Sequence, residues 1–306
     1  MDPFFGIDIA SDKFDSYNED FGRANCQNKL LGIGAYLKSL PKGAILALEA
    51  TGGYGKLLAD KAVKAGFTVY MLQPVKVKRF RQSGPDKGKT DRIDARVIHE
   101  YIRVYHSRLH PYEPLPKFEA RLRKLARTRD GLVRKLASLR TQLRSLGDSP
   151  KAIKSTLAGL EKRVLELTTE LEGVLASAED AKVLFTIPGV GTCTVAAVLP
   201  ALRTIPFKGK YAFDSYAGID LRPNESGKLK GRRKMSKEGD KHMRRAVFMA
   251  ALSGTNAKVW KGHYEKLLGE KKLKKIQAIN ALARKILHTI YGVYKSQTAF
   301  AKPPGG

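Results

Sequence analysis

Four carboxylates stand where phosphate chemistry would need them. Asp8 closes the apolar run Phe4–Ile7, Glu49 closes Ala44–Leu48, and Asp91 and Asp94 lie three apart in KTDRIDARVI. An i, i+3 pair on a helix shares a face, and two like charges so placed repel unless a cation lies between them. Carboxylate oxygens suit Mg²⁺, and a two-metal phosphodiester-cutting site takes carboxylates from several elements to hold its ions roughly 3.5–4 Å apart. Each residue also has a plain reading. A strand-end Asp is ordinarily a turn or cap residue, and Lys89 and Arg92 are placed to screen the Asp pair. Glu49 is the sharpest signal, because Glu is rarely buried unpaired and the following Gly52-Gly53 leaves room for a ligand or backbone.

These acids stand out against an excess of base. Lys and Arg number 57 against 29 Asp and Glu, a formal net charge of +28, and the excess is clustered. Lys76, Lys78, Arg79, Arg81, Lys87 and Lys89 precede the Asp pair. A second cluster holds Arg222, Lys228, Lys230, Arg232, Arg233, Lys234, Lys237, Lys241, Arg244 and Arg245. Clustered cations make a field that follows a phosphate backbone, so nucleic acid is the expected partner. Ser226 sits inside the second cluster, between Glu225 and Gly227. Its hydroxyl could attack a phosphate that Lys and Arg hold. By residue chemistry alone, a turn serine in a solvated basic loop is the plainer reading. Ser236, before a predicted helix, reads as a helix cap or phosphate contact.

The elements that must position these groups follow from periodicity. Residues 1–107 alternate short apolar runs with amphipathic stretches, an α/β pattern. Strands are predicted at Phe4–Asp8, Phe14–Asn18, Ala44–Glu49 and Thr68–Leu72, with helices over Leu30–Leu40, Gly55–Ala65 and Thr90–Val104. HPYEPLP at His110–Pro116 breaks regular structure as a linker would. Leucines at helical spacing over 117–176, broken by GDSP at Gly147–Pro150, predict two long helices in an antiparallel hairpin. The chain then divides as 1–107, an α/β metal-binding domain; 108–179, a helical hairpin; and 180–306, a mainly helical domain carrying Ser226 and ending in a helix around Ile276–Tyr294.

A hydrophobic content of 42% excludes a disordered chain. Only Cys26 and Cys193 are present, without a pairing pattern, which implies a reducing, cytoplasmic setting. No apolar run reaches membrane-span length, and the N-terminus lacks a signal-peptide layout. The six histidines and two cysteines show no zinc spacing. Pro188-Gly189-Val190-Gly191 reads either as a plain turn or as a helix-hairpin-helix turn presenting N–H groups to phosphate.

The order strand-Asp, strand-Glu, helix Asp-x-x-Asp resembles the RuvC-like branch of the ribonuclease-H fold. GIDIASDKFD, LEATGGY, KTDRIDAR, TIPGVG, YAGIDLRPNESG and MSKEGDKHMRRAVFMAA together look like the DEDD-type transposases of insertion-sequence family one-ten, related to the Piv/MooV invertases. The resemblance runs from about Phe5 to Lys295, although the middle segment matches only in its leucine pattern, and Ser11 stands where many relatives carry Lys. It implies that Asp8, Glu49, Asp91 and Asp94 hold two Mg²⁺ ions and that Ser226 is the nucleophile of a phosphoserine intermediate. It also implies donor and target DNA, a structured non-coding RNA that selects them, and a homo-oligomer, dimer or tetramer, in a bacterial or archaeal cytoplasm near the nucleoid. Two other readings stay open here: a RuvC-like junction-resolving nuclease, and a non-enzymatic nucleic-acid-binding protein.

Overall fold

Strand β1 (Phe4–Ile9) sends Phe5, Ile7 and Ile9 to one side of its sheet and Phe4, Gly6 and Asp8 to the other. The computed structural model describes residues 3–50, 53–83, 91–147, 151–222, 225–226, 229–230 and 234–301. Within these, the side chains of 91–93, 146, 151–152, 225–226 and 229–230 lie outside the description. Two units divide the chain, Met1–Pro114 and Leu115–Gly306.

In the first unit β1 is followed by β2 (Lys13–Asn18), β3 (Gly22–Gln27), α1 (Leu30–Ser39), β4 (Ile45–Glu49), α2 (Lys56–Lys64), β5 (Thr68–Leu72), α3 (Pro74–Ser83) and α4 (Asp91–Tyr105). The sheet order is β3-β2-β1-β4-β5; β1, β2 and β3 are antiparallel, and β1, β4 and β5 are parallel. One face packs Ile7, Phe14, Leu46 and Leu48 against Ile33 and Leu37 of α1 and Leu58 of α2. The other packs Ala47, Tyr70 and Leu72 against Val77 of α3 and Val97, Ile98 and Ile102 of α4. Each buried Ile, Leu, Val or Phe among these contributes about 1.5–3 kcal/mol. β3 and α3 add to the elements expected from periodicity. GRANCQ has no apolar stripe because it is an edge strand, paired among the described residues only with β2. α3 buries only Val77 and opens on a proline at its first helical position, where the missing N–H costs nothing.

Gly6 is the closest approach of helix to sheet. A Cβ there would lie 2.2 Å from the Ala95 carbonyl oxygen and 2.3 Å from the His99 nitrogen, both backbone. Gly6→Ala is therefore expected to cost about 1–3 kcal/mol through overpacking, read as a lower urea midpoint. An unchanged midpoint would mean that α4 moves away from β1 at no cost.

The second unit begins with α5 (Lys117–Leu146) and α6 (Lys151–Ala176), an antiparallel hairpin. Arg121 donates to Glu170 at 2.9 Å, Arg129 to Thr168 at 2.7 Å, and Arg140 to Glu161 at 2.5 Å. Then come α7 (Glu179–Lys182), α8 (Thr192–Thr204), α9 (Lys210–Ala217), the two-residue strands β6 (Leu221–Arg222), β7 (Glu225–Ser226), β8 (Leu229–Lys230) and β9 (Lys234–Met235), and α10 (Lys241–Gly254), α11 (Lys258–Gly269) and α12 (Lys275–Ser296). Leu122, Leu171 and Leu175 at the hairpin's base share one core with Leu199, Val247, Leu282 and Ile286. Arg203 ties that base down, bonding Asp180 and, at 3.0 Å, Glu119, with its guanidinium 4.6 Å from the Phe118 ring. That hydrogen bonding holds Asp180 below the usual carboxylate range. The Pro188–Gly191 turn serves packing. Gly189 has φ +87°, and a Cβ would meet the Ala250 carbonyl at 2.6 Å, while Trp260 donates its indole N–H to Pro188 O at 2.8 Å.

Candidate active site and nucleic-acid interface

The parallel register of β1 and β4 runs from Phe4 opposite Ile45 to Ile7 opposite Leu48, so one step further sets Asp8 beside Glu49. Both are half-buried at the C-terminal strand ends, where open α/β sheets place ligands. Alternation puts both on the α4 face, with Gly6 and Ala47. Helix α4 runs antiparallel to β1. The Phe4 ring lies 4.9 Å from His106, the Phe4 carbonyl accepts from His99 Nδ1 at 2.9 Å, and Gly6 faces Ala95 and His99. The first turn of α4, with Asp91 and Asp94, therefore points toward the Asp8 end of the strand.

Because a carbonyl only accepts, the proton of His99 is on Nδ1. Burial lowers the pKa of this histidine and keeps it neutral in the helix–sheet seam. Asp94 pairs with Arg81 of α3, and both side chains are mostly covered. Arg81, expected to contact nucleic acid, thus also neutralises a site carboxylate. Lys76, Lys78 and Arg79 are exposed on α3. The side chain of Asp91 lies outside the described residues, as do Lys87 and Lys89 entirely.

One acid was missed from sequence. Asp15 on β2 is the cross-strand partner of Asp8 and is half-buried, with Oδ1 accepting from Asn25 at 2.8 Å. The signal was present in KFDSYN. Phe14, Ser16 and Asn18 are buried, which sends Asp15 and Tyr17 to the α4 face, where Tyr17 meets His99 edge-on at 5.4 Å. Among the described residues, no three His, Cys, Asp or Glu side chains are grouped closely enough to hold a metal ion. The donor chemistry nonetheless suits a hard cation: Asp8 and Glu49 offer only carboxylate oxygens from adjacent strand ends.

In the second unit, Ser226 lies on β7, opposite Leu229 of β8. Outside this pair, β6 and β9 join Leu221 to Met235 and Arg222 to Lys234, so Ser226 belongs to the inner of two nested antiparallel pairings. The side chains of Ser226 and Lys230 are outside the description, as are Lys228, Arg232 and Arg233 entirely. The base of the arm is clamped. Ser236 N–H donates to Asp220 O at 2.9 Å, and the Ser236 hydroxyl bonds the Asp220 carboxylate. Arg222 forms a two-pronged ion pair with Glu238. Ser236 therefore does not cap α10. That role falls to Asp240, which accepts from the backbone N–H groups of His242 (2.8 Å) and Met243 (3.1 Å). Burial pushes the Asp240 carboxyl up, but Arg127 and these N–H groups outweigh it and hold the group below its ordinary value.

The basic residues of this region divide. Lys234 and Lys237 are exposed. Arg245 donates to Asp130 of α5 at 2.7 Å, and Arg244 to the Ala217 carbonyl at 3.0 Å, with burial lowering the Arg244 pKa. These two arginines hold α10 in place, a role that a charge count does not reveal.

Residues 5–148 match a family described as Transposase, and residues 181–265 match the Transposase IS116/IS110/IS902 family. The chain belongs to the IS110 family of transposases. The first match spans every acid of the strand-end site, and the second spans the nested arm with Ser226. At 26% identity over 327 aligned residues, covering 98% of each chain, this IS110-family member is similar to a "Pilin gene-inverting protein" of Moraxella bovis. A protein of the same name from Moraxella lacunata matches equally, at 26% over 98% of each. The "Transposase for insertion sequence element IS1328" of Yersinia enterocolitica is 24% identical, over 80% of this chain and 82% of its own. No helix among the described residues is long and apolar enough to cross a membrane.

Proposed function

We propose that this IS110-family protein cuts and exchanges DNA strands with a carboxylate-held Mg²⁺ site and a serine nucleophile, and that a structured RNA chooses its targets. The observation that carries the reading is the β1–β4 register, which sets Asp8 beside Glu49 under the incoming end of α4. A sheet ordered β3-β2-β1-β4-β5, antiparallel then parallel, supports a ribonuclease-H-like, RuvC-like assignment for residues 1–107. Residues 108–179 would then be the connecting hairpin and 180–306 the serine-bearing domain.

Asp8, Glu49, Asp91 and Asp94 would hold the Mg²⁺ ions, which when bound polarise the scissile phosphate. Arg81 competes with any such cation for Asp94. Ser226 Oγ attacks phosphorus, an ester bond to the DNA sugar breaks, and the departing sugar oxygen takes up a proton. The phosphodiester energy is conserved in the serine ester, so a hydroxyl from the partner strand can reverse the step and rejoin DNA without ATP. Lys234 and Lys237, exposed on the arm and just after it, would hold the phosphate backbone. The acids and the serine lie in different units of the chain, and the working assembly is a homo-oligomer, dimer or tetramer.

The sequence contains no zinc finger or basic zipper that would read bases, and clustered Lys and Arg bind backbones with little regard to sequence. Protein purified from cells carrying its native element is expected to bring down one discrete structured RNA. Editing the unpaired loops of that RNA should redirect recombination. Efficient site-specific recombination by RNA-free protein would overturn this part and favour direct readout by the protein.

A further inference from the structure

We propose that Tyr211, at the start of α9, is a stacking platform for an unpaired base of single-stranded DNA. The proposal rests on the reading of this protein as a DNA strand-exchanging enzyme and adds a contact outside both the carboxylate site and the serine arm. Tyr211 is 63% exposed. An exposed tyrosine alone is ordinary. This one has two cations over its ring: Lys210 Nζ lies 5.3 Å and the Arg284 guanidinium 5.9 Å from the ring centroid. The His288 ring stands edge-on to it at 5.6 Å and 87°.

The frame is fixed from beneath. Asp214, whose side chain is 1% exposed, accepts on Oδ2 from Arg284 Nε at 2.7 Å and bonds His288 Nε2 at 2.7 Å. One buried carboxylate thereby orients two groups of α12 against an aromatic ring on α9. Its other oxygen, Oδ1, is buried with no hydrogen-bond partner among the described residues, a desolvation cost that packing alone does not call for. Lys208, three residues before Tyr211, is exposed and adds positive charge to this segment. A π face rimmed by cations is what a base attached to a phosphate backbone recognises, and it tolerates any base sequence. Duplex DNA keeps its bases stacked inside and offers no face to Tyr211. Strand exchange necessarily produces unpaired bases, and the surface supplies somewhere to hold one.

Anisotropy titrations of the full-length protein with short oligo-dT, the corresponding duplex and oligo-U test this. Tyr211→Ala is expected to weaken oligo-dT binding by about 5- to 150-fold while leaving duplex binding within about twofold. Tyr211→Trp should restore it. The salt slope of Tyr211→Ala should equal that of the parent, because no phosphate contact is removed, whereas Lys210→Ala should flatten the single-strand slope by about 0.7. The exposed position makes misfolding a minor concern, and an unchanged thermal melt checks it. Equal losses on duplex and oligo-dT, a loss confined to oligo-U, or unchanged oligo-dT binding would each overturn the platform. If the parent itself binds neither DNA, the strand-exchange reading falls with it; if the parent binds and Tyr211→Ala matches it, only the platform falls.

Discussion

Asp8→Asn is expected to abolish DNA cleavage while leaving the chain folded. The change removes one charge and keeps the shape of a half-buried side chain that lies beside Glu49 on one strand and Asp15 on the other. Polarisation of a phosphate by a bound metal is worth several kcal/mol, and each 1.36 kcal/mol is tenfold, so the rate should fall by about 10³-fold or more. Stability should hold or rise slightly, since a repulsion among neighbouring carboxylates is relieved. Nicking of supercoiled donor DNA at saturating Mg²⁺ is the measurement, with a urea titration alongside. A variant that cuts at the parent's rate would place the metal elsewhere. Glu49→Gln should behave alike, since it removes the neighbouring ligand of the same register.

Ser226→Ala is the second large effect and asks a different question. The basic residues around it are unchanged, so DNA affinity should stay within about twofold. The covalent protein–DNA species on a denaturing gel should vanish, and strand exchange should fall by about 10³-fold or more, as expected when a nucleophile is removed. Ser236→Ala should instead act on the clamp, because that hydroxyl bonds Asp220 at the base of the arm. An adduct that persists in Ser226→Ala would move the nucleophile to another residue. Hydrolysed ends in place of any adduct in the parent would favour a junction-resolving nuclease.

Much of the site's scaffold was legible because it follows the apolar pattern. Alternation located β1, β2, β4 and β5 to within a residue, and the leucine period located both hairpin helices. What failed had no apolar stripe to read. β3 presents Arg23 and Asn25 because its outer edge pairs with nothing in the sheet, and α3 hides a single valine among its cations. Asp15 escaped notice for another reason. Register, which is a relation between two strands, made it Asp8's neighbour, and no local pattern records that. The same holds for Arg81, Arg244 and Arg245, each expected from its charge to contact phosphate and each bonded within its own unit to Asp94, Ala217 or Asp130.

The α5–α6 hairpin has a bearing on how such a protein diverges. A helix of 30 residues extends about 45 Å, and beyond its buried base it is held by a thin seam of leucines, half-covered apart from the buried Leu136, and a few cross-helix ion pairs. Residues 149–180, which include all of α6, fall between the two family-matched segments. Selection on a spacer of this kind acts on length and period rather than on identity. Lengthening one helix without the other would slide every cross-pair out of step, so viable changes must come as compensating pairs of near-heptad size. The spacer can lose its ancestry letter by letter and still keep its measure.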